Sequence, residues 1–409
     1  MALADLTEWM NENSRPHVVW YAKRLSGNDT LANGSHQAGP YIPKDFLFDV
    51  FPSLNRPDAE NPDKTFEVRI DSHPDVREVR AIWYNNRFRG GTRNEARVTN
   101  FGGASSALLD PESTGSLAVF AFHRNDSGEA DVSHVWVCDH ETEAELVEER
   151  IGPVEPGTFV IWAADSDASL LKVIPKPRTD CWMDEDEIPP AWLSQFPSGA
   201  EIIRKVVELQ ESHRTLQIDN RLMKRRECEY EVFRSIEQAI ELPVIRAGFN
   251  SVDEFVNRAN SILQRRKSRS GRSLELHARE IFIEENLGEG IDFDHQPESD
   301  AGKKPDFLFP NEAAYKDAAF PADKLRLLAA KTTCKDRWRQ VLNEADRIRV
   351  KHILTLQEGI SVNQFREMTD AKVCLVVPAP LVTSYPPAVR PHLQTLESFI
   401  GDVRLLSVS

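Results

Sequence analysis

The 409-residue chain is poor in cysteine, in long apolar runs and in excess basic charge, and each shortage removes a class of proteins. Its five cysteines (Cys138, Cys181, Cys228, Cys334 and Cys374) are scattered and form no C-x-x-C pair. That excludes a cysteine-based zinc site and a dense disulfide framework, so all five are expected as reduced, partly buried thiols. No uninterrupted apolar stretch approaches membrane-spanning length, and the opening "MALADLTEWMNENSRP" has neither a basic n-region nor an apolar signal core. The expectation is a cytoplasmic protein with no membrane partner. Basic residues number 50 against 65 acidic ones, a net charge of −15, which argues against a general nucleic-acid coat protein. It does not exclude DNA, because phosphate contacts need only one basic face.

What is present describes a soluble, two-domain protein: 40% apolar residues, 28% charged residues, and a chain too long for one ordinary core. Residues 1–172 carry short β-rich runs such as "TFEVRI", "REVRAIWYNN", "SLAVFAFH", "SHVWVCD" and "GTFVIWAA", separated by Asn-Gly, Gly-Gly and Pro-Gly turn signals. This texture points to an all-β barrel or sandwich. Residues 173–197 concentrate proline and acid and are expected as a linker. From 198 to 409 the pattern becomes α/β. Helical periods cover "EIIRKVVELQESH", "LMKRRECEYEVFRSIEQAI", "SVDEFVNRANSILQRR" and "SLELHAREIFIEENL". Strands are expected at "PDFLFP", "DKLRLLAAKTTC", "HILTLQEG" and "KVCLVVPAP", forming a mixed central sheet. Residues 258–272 hold six basic residues and no acid, which, beside a second basic cluster after Lys331, suggests a nucleic-acid face.

The chemistry centres on a Pro-Asp followed by a late-strand lysine. Phosphodiester hydrolysis requires a divalent ion, and Mg²⁺ takes hard oxygen ligands, commonly one or two carboxylates plus phosphate and water. A nearby lysine can orient the attacking water and stabilise the anionic transition state. Asp306 and Lys331 supply one carboxylate and the amine, but the position two residues before the lysine, where a second acid is wanted, is Ala329. If "KDRWRQVLNEADRIR" is helical, Trp338, Val341, Leu342, Ala345 and Ile348 form its buried stripe and Glu344 lies on the flank. Glu344 is therefore the replacement expected for the absent acid. Glu275 and Glu280 on an upstream helix are further carboxylates that either approach the metal or merely favour the helix.

These residues lie in longer segments that resemble the EcoRII type of restriction endonuclease: "KKPDFLFP", "AAKTTCKDRWRQVLNEADRI", "LTLQEGIS", "RRKSRSGRSLELH" and "GFNSVDEF", and in the N-terminal half "KRLSGNDT", "GSHQAGPYIP" and "GGTRNEARVT". The resemblance implies a C-terminal α/β domain of the PD-(D/E)xK nuclease superfamily with a migrated glutamate, Asp306, Lys331 and Glu344 being the catalytic residues and the first and last the Mg²⁺ ligands. It implies that Lys335, Asp336 and Arg337 read bases, which suits their chemistry: the cations can donate to guanine and the carboxylate can accept from cytosine. Arg226 and Tyr230 become walls of a pocket for an extruded base, although a tyrosine packed in a helix would look the same.

For the N-terminal domain the resemblance implies a B3-like pseudobarrel that binds a second DNA copy as effector, through His36, Tyr41, Arg93, Asn94, Glu95 and Arg97. Ala96 stands where the family has a basic residue. Two function classes follow. One is a homodimeric, Mg²⁺-dependent type IIE restriction endonuclease cutting double-stranded DNA at CCWGG or a close relative. The alternative is a non-catalytic, sequence-specific DNA-binding protein that has kept the fold.

Overall fold

The computed structural model describes residues 3–34, 39–163, 179–300 and 302–408. The chain divides into two compact units. The first holds Met1–Pro175 with Gln357–Glu367 and Thr383–Pro391; the second holds Lys176–Leu356, Met368–Val382 and His392–Ser409. Among the described residues no helix is long and apolar enough to cross a membrane.

The first unit is built on seven strands: β1 (Val18–Arg24), β2 (Asp63–Ile70), β3 (Asp75–Asn85), β4 (Asn94–Thr99), β5 (Leu117–Arg124), β6 (Ala130–Val137) and β7 (Phe159–Ala163). They lie in one sheet in the order β4-β3-β2-β6-β5-β1-β7, antiparallel except where β2 meets β6. Strand alternation explains the two cores. From β1, Val19 and Tyr21 enter a core that collects side chains from all seven strands and from α2 (Lys44–Val50). Val18, Trp20 and Ala22 face the other way, toward α1 (Leu3–Asn13) and α3 (Glu141–Ile151). There Trp20 stacks on Trp162 at 5.2 Å and meets Trp9 edge-on at 5.6 Å. The domain is thus β-dominated but not purely β, because three helices cover the sheet. Ala96 is 7% exposed and belongs to the inner core.

The second unit begins with helices α4 (Pro190–Ser194), α5 (Gly199–Leu209), α6 (Ile218–Ala247) and α7 (Val252–Glu284). Within the stretch read as a linker, residues 179–197 are folded: Cys181, Met183 and Ile188 bury against Ile202 and Val206 of α5 and Val232 and Ile236 of α6. Cys181 and Cys228 are joined in a disulfide, Cα atoms 5.2 Å apart, which corrects the expectation of five reduced thiols. The reason lies in the packing, since the folded 179–183 segment brings Cys181 within bonding range of α6. Ser198 caps α5, its hydroxyl accepting from the Glu201 amide, and Ser251 does the same for α7 through Glu254.

Helices expected separately before and after "KSRSGRS" form the single 33-residue α7. Its arginines face a ladder of acids on α6. Arg258 and Arg265 bind Glu241, Arg266 binds Glu237, and Arg269 binds Glu229, all at 2.6–2.9 Å. Much of the basic run is therefore an internal ion-pair seam and not a nucleic-acid face. Those pairs hold the helix through a segment of weak propensity.

The helices adjoin a five-stranded mixed sheet of β8 (Asp294–His295), β9 (Phe307–Phe309), β10 (Arg326–Ala330), β11 (Lys351–Leu354) and β12 (Val373–Val376), ordered β12-β11-β10-β9-β8. β10, β11 and β12 run parallel, while β9 is antiparallel to β10 and to β8. Phe282 of α7 packs on Phe307 and Phe309 at 5.1 and 5.4 Å. Short helices α8 (Glu312–Lys316) and α9 (Trp338–Val341) sit in the connections and α11 (Leu396–Val408) comes last, while α10 (Val362–Asp370) falls mostly within the residues of the first unit.

Glu229 is 3% exposed and also accepts from Ser273. Glu229→Ala should cost about 3–5 kcal/mol in urea unfolding, because it breaks the buried pair with Arg269 and the bond from Ser273. Glu67→Ala, which breaks the exposed Arg69 pair, should cost less than ~1 kcal/mol. Equal shifts in the two variants would reject the distinction.

Candidate active site

The register of β9 on β10 pairs Phe307 with Leu328, so Asp306, one residue earlier, comes opposite Ala329. The strand edge thus brings the Pro-Asp carboxylate to the position where the acid before the lysine is missing. Asp306 Oδ2 accepts from the Ala330 amide at 2.8 Å and from Lys331 Nζ at 3.1 Å. Lys331 follows β10 directly, and its own amide donates to the Leu354 carbonyl at 2.9 Å, continuing the parallel ladder onto β11.

Glu344 arrives by a route different from the expected one. The helix after Lys331 is only α9, four residues long, and residues 342–350 form turns. Ala345 has φ 49°, a left-handed conformation that no helix interior contains. The apolar stripe is kept by turns instead: Trp338, Val341, Ala345 and Ile348 are all buried, while Leu342 is half-buried. Glu344 is consequently placed by a pinned turn and not by a helix flank. Its carboxyl lies close enough to Lys331 and Asp306 for both charges to act on it. Burial pushes it up to about 7; Lys331 opposes that, Asp306 adds to it, and Lys351 opposes it. Glu344 Oε2 is buried and makes no hydrogen bond.

An orphaned, buried carboxylate oxygen beside a second carboxylate is the donor set a hard divalent cation fits. Among the described residues no three His, Cys, Asp or Glu side chains form a metal-binding group, so two carboxylates are what the protein offers. Glu275 does not add a third. It is buried, accepts from Gln296 at 2.6 Å and pairs with His295. Burial raises its pKa, but the bonds from His295 and Gln296 outweigh this and hold the carboxyl below its usual value. Glu280 pairs with Arg279 at 2.9 Å on the helix exterior. His295, which ends β8, and Gln296, which follows it, were not anticipated, because no motif marks them. Gln296 nonetheless donates its amide to the Asp306 carbonyl at 2.9 Å, tying the Glu275 cluster to the strand of the first carboxylate.

The remaining sequence-based candidates separate into accessible and inaccessible groups. Lys335, Asp336 and Arg337 sit together, half-buried, in the turn between buried Cys334 and Trp338, and Asp336 pairs with Arg339 at 3.6 Å. Arg226 is 6% exposed, between α6 and α7, where it donates to Ser273 at 2.8 Å. In the free chain it lies within the helix seam, with the Ser273 hydroxyl as a partner. Tyr230 remains 44% exposed with the Arg269 guanidinium over its ring at 5.0 Å. In the first unit, Tyr41 is 60% exposed. Arg93 lies over the Tyr84 ring at 3.9 Å, and both Arg93 and Arg97 bind Glu95, whose pKa their hydrogen bonds lower. Asn94 accepts from Trp83 at 2.9 Å and from Lys44 at 3.3 Å. His36 lies outside the described residues.

Comparison with known proteins assigns both parts of the chain. Residues 14–166 match the family model "Restriction endonuclease EcoRII, N-terminal", and residues 233–400 match "EcoRII C terminal". The type II restriction enzyme EcoRII of Escherichia coli is 42% identical over 406 residues, 98% of both chains. The chain belongs to the EcoRII family of type II restriction endonucleases. Two structures of metal-depleted Ecl18kI with uncleaved DNA, one of them modified DNA, align with TM-scores of 0.43 and 0.42. They are 19% and 20% identical, covering 54% and 53% of this chain and 86% and 80% of theirs.

The raised Glu344 pKa fixes the sign of a stability effect in metal-free buffer. A carboxyl with a folded pKa near 7 contributes stability that is full below the ordinary glutamate range and is lost as pH rises through about 7. Glu344→Gln should therefore melt above wild type at pH 8 and close to it at pH 5. A stability difference that does not change with pH would reject the burial of this carboxyl.

Proposed function

We propose that this chain is a Mg²⁺-dependent type IIE endonuclease that hydrolyses double-stranded DNA at CCWGG or a close relative, as a homodimer in the cytoplasm. The observation that carries the catalytic reading is the meeting of Lys331 with Asp306 at 3.1 Å beside the buried, unpartnered Glu344 oxygen. Asp306 and Glu344 would hold the cation. Bound there, Mg²⁺ supplies Lewis acidity and charge neutralisation at the scissile phosphate. Lys331 has the protein's own role: its ammonium, fixed by Asp306 and by the strand end, holds the attacking water and faces the charge that develops on the phosphorane oxygens. Glu344 acts as a ligand only when ionised, which its burial resists until a cation or Lys331 compensates.

Recognition is assigned to Lys335, Asp336 and Arg337, which follow Lys331 by four to six residues and thereby couple base reading to the site. Tyr230 is the accessible candidate for stacking an extruded base; buried Arg226 would act through the seam. The N-terminal unit, read as a B3-like pseudobarrel, would hold the effector DNA with Tyr41, Arg93, Asn94, Glu95, Arg97 and His36. Its single inner core shared by all seven strands supports that reading. On DNA, Arg93 and Arg97 would exchange Glu95 for phosphate and guanine.

Three outcomes test this. On a plasmid with many candidate sites, wild type should cut with Mg²⁺ and stop with EDTA. Lys331→Ala should lose about 10²- to 10⁴-fold in rate while still binding DNA; nicking at the wild-type rate would remove Lys331 from the mechanism. A wild type that binds but never cuts favours the non-catalytic alternative. Arg93→Ala and Arg97→Ala should each lower the salt slope of effector-DNA binding by roughly 1. Unchanged slopes would move the effector site elsewhere.

A further inference from the structure

The turn that carries Glu344 is held by a lysine with no place in the chemistry above. Lys351 opens β11, is 5% exposed, and is fixed along its backbone by pairing with Val373 and by donating its amide to the Lys372 carbonyl at 3.0 Å. Its Nζ donates to two main-chain carbonyls, that of Glu344 and, at 2.7 Å, that of Ala345. Those carbonyls flank the backbone step at which Ala345 turns left-handed, a conformation disfavoured for any residue with a Cβ. A buried ammonium committed to two carbonyls cannot serve a phosphate.

Other contacts fasten the same turn further along. The Asp346 amide donates to Asp300 Oδ2 at 3.1 Å, and the Arg347 guanidinium donates to the carbonyls of Tyr315, Asp317 and Phe320. These anchor the outer limb. The backbone adds a bond from the Glu344 amide to the Val341 carbonyl at 3.1 Å and one from the Ile348 amide to the Ala345 carbonyl at 2.9 Å, and Lys351 is the side chain that reaches the Glu344 carbonyl.

We propose that Lys351 is the positioning residue for Glu344: it clamps the left-handed turn and so aims the Glu344 carboxylate at Asp306 and Lys331, in place of an acid on the strand at 329. The assignment rests on the reading of Glu344 as a cation ligand. A point-like ammonium suits it, because two convergent carbonyl oxygens need adjacent donors on one atom, not the spread fork of an arginine.

The test uses the full chain with Mn²⁺ as probe, its affinity read by electron paramagnetic resonance, alongside metal-free DNA binding. Lys351→Met should weaken Mn²⁺ binding by about 10- to 100-fold, the range for residues that orient a ligand, and leave DNA affinity unchanged. Asp300→Ala, which loosens the outer limb, should leave Mn²⁺ affinity near wild type. Wild-type Mn²⁺ affinity in Lys351→Met, or equal losses in Lys351→Met and Asp300→Ala, overturns the proposal, the second because it would mean general loosening. Should the methionine variant not fold, Lys351→Gln, which keeps a donor but not the reach to both carbonyls, is read by the same two criteria. Glu344→Gln is the separate control. If it retains wild-type affinity, the reading of Glu344 as ligand fails; if it loses affinity while the Lys351 variants do not, only the clamp fails.

Discussion

The carboxylate of Asp306 accepts from the Ala330 amide and the Lys331 ammonium through one oxygen, and the proposed site is organised around that pair of hydrogen bonds. The amide belongs to the strand ladder and the ammonium to the chemistry proposed for the site. A shift in the β9–β10 register would therefore break the site and unpair a backbone donor together. The sheet secures this register from both sides: Phe307 and Phe309 are buried against Phe282, and Lys331 continues the pairing onto β11. The Asp306–Lys331 pair sits at the end of a strand that the core holds in place.

Charge serves two distinct purposes in the second unit. Along α6 and α7, Glu229, Glu237 and Glu241 meet arginines at close range, and each buried charge is matched and hydrogen-bonded, as burial requires. At the site the match is left incomplete. Glu344 keeps a buried oxygen that makes no hydrogen bond, and burial pushes its carboxyl up to about 7, which suits the cation-ligand role proposed for it. The same seam that satisfies the arginines draws Arg226 inside, so a residue that reads as a nucleic-acid contact becomes part of the packing.

Much of this was legible in the chain before any coordinates. Alternating apolar runs located β2, β3, β5, β6 and β7, the "VCLVV" run located β12, and the Pro-Asp and late-strand lysine identified Asp306 and Lys331. What was not legible arose from long-range partners. The linker reading of 179–197 followed local proline and acid content, whereas Cys181, Met183 and Ile188 are buried by α5 and α6. The break expected within α7 followed the weak helix propensity of "KSRSGRS", which ion pairs to α6 override. His295 and Gln296 had no signal at all, because their partner Glu275 lies about 20 residues away on a helix.

Glu344 shows where the two kinds of information divide. By itself the sequence showed that no acid stands at 329 and pointed to Glu344 as the proposed replacement, because residue type and the requirement for a second carboxylate can be read locally. It also suggested a helix, since Trp338, Val341, Ala345 and Ile348 recur at helical spacing. Only the tertiary structure decided the path: a four-residue helix, a left-handed Ala345, and a turn fastened by Lys351, Asp300 and Arg347. Spacing specifies which side chains are buried; the backbone that buries them is selected by partners far along the chain, which satisfy carbonyls and amides that a helix would have satisfied internally.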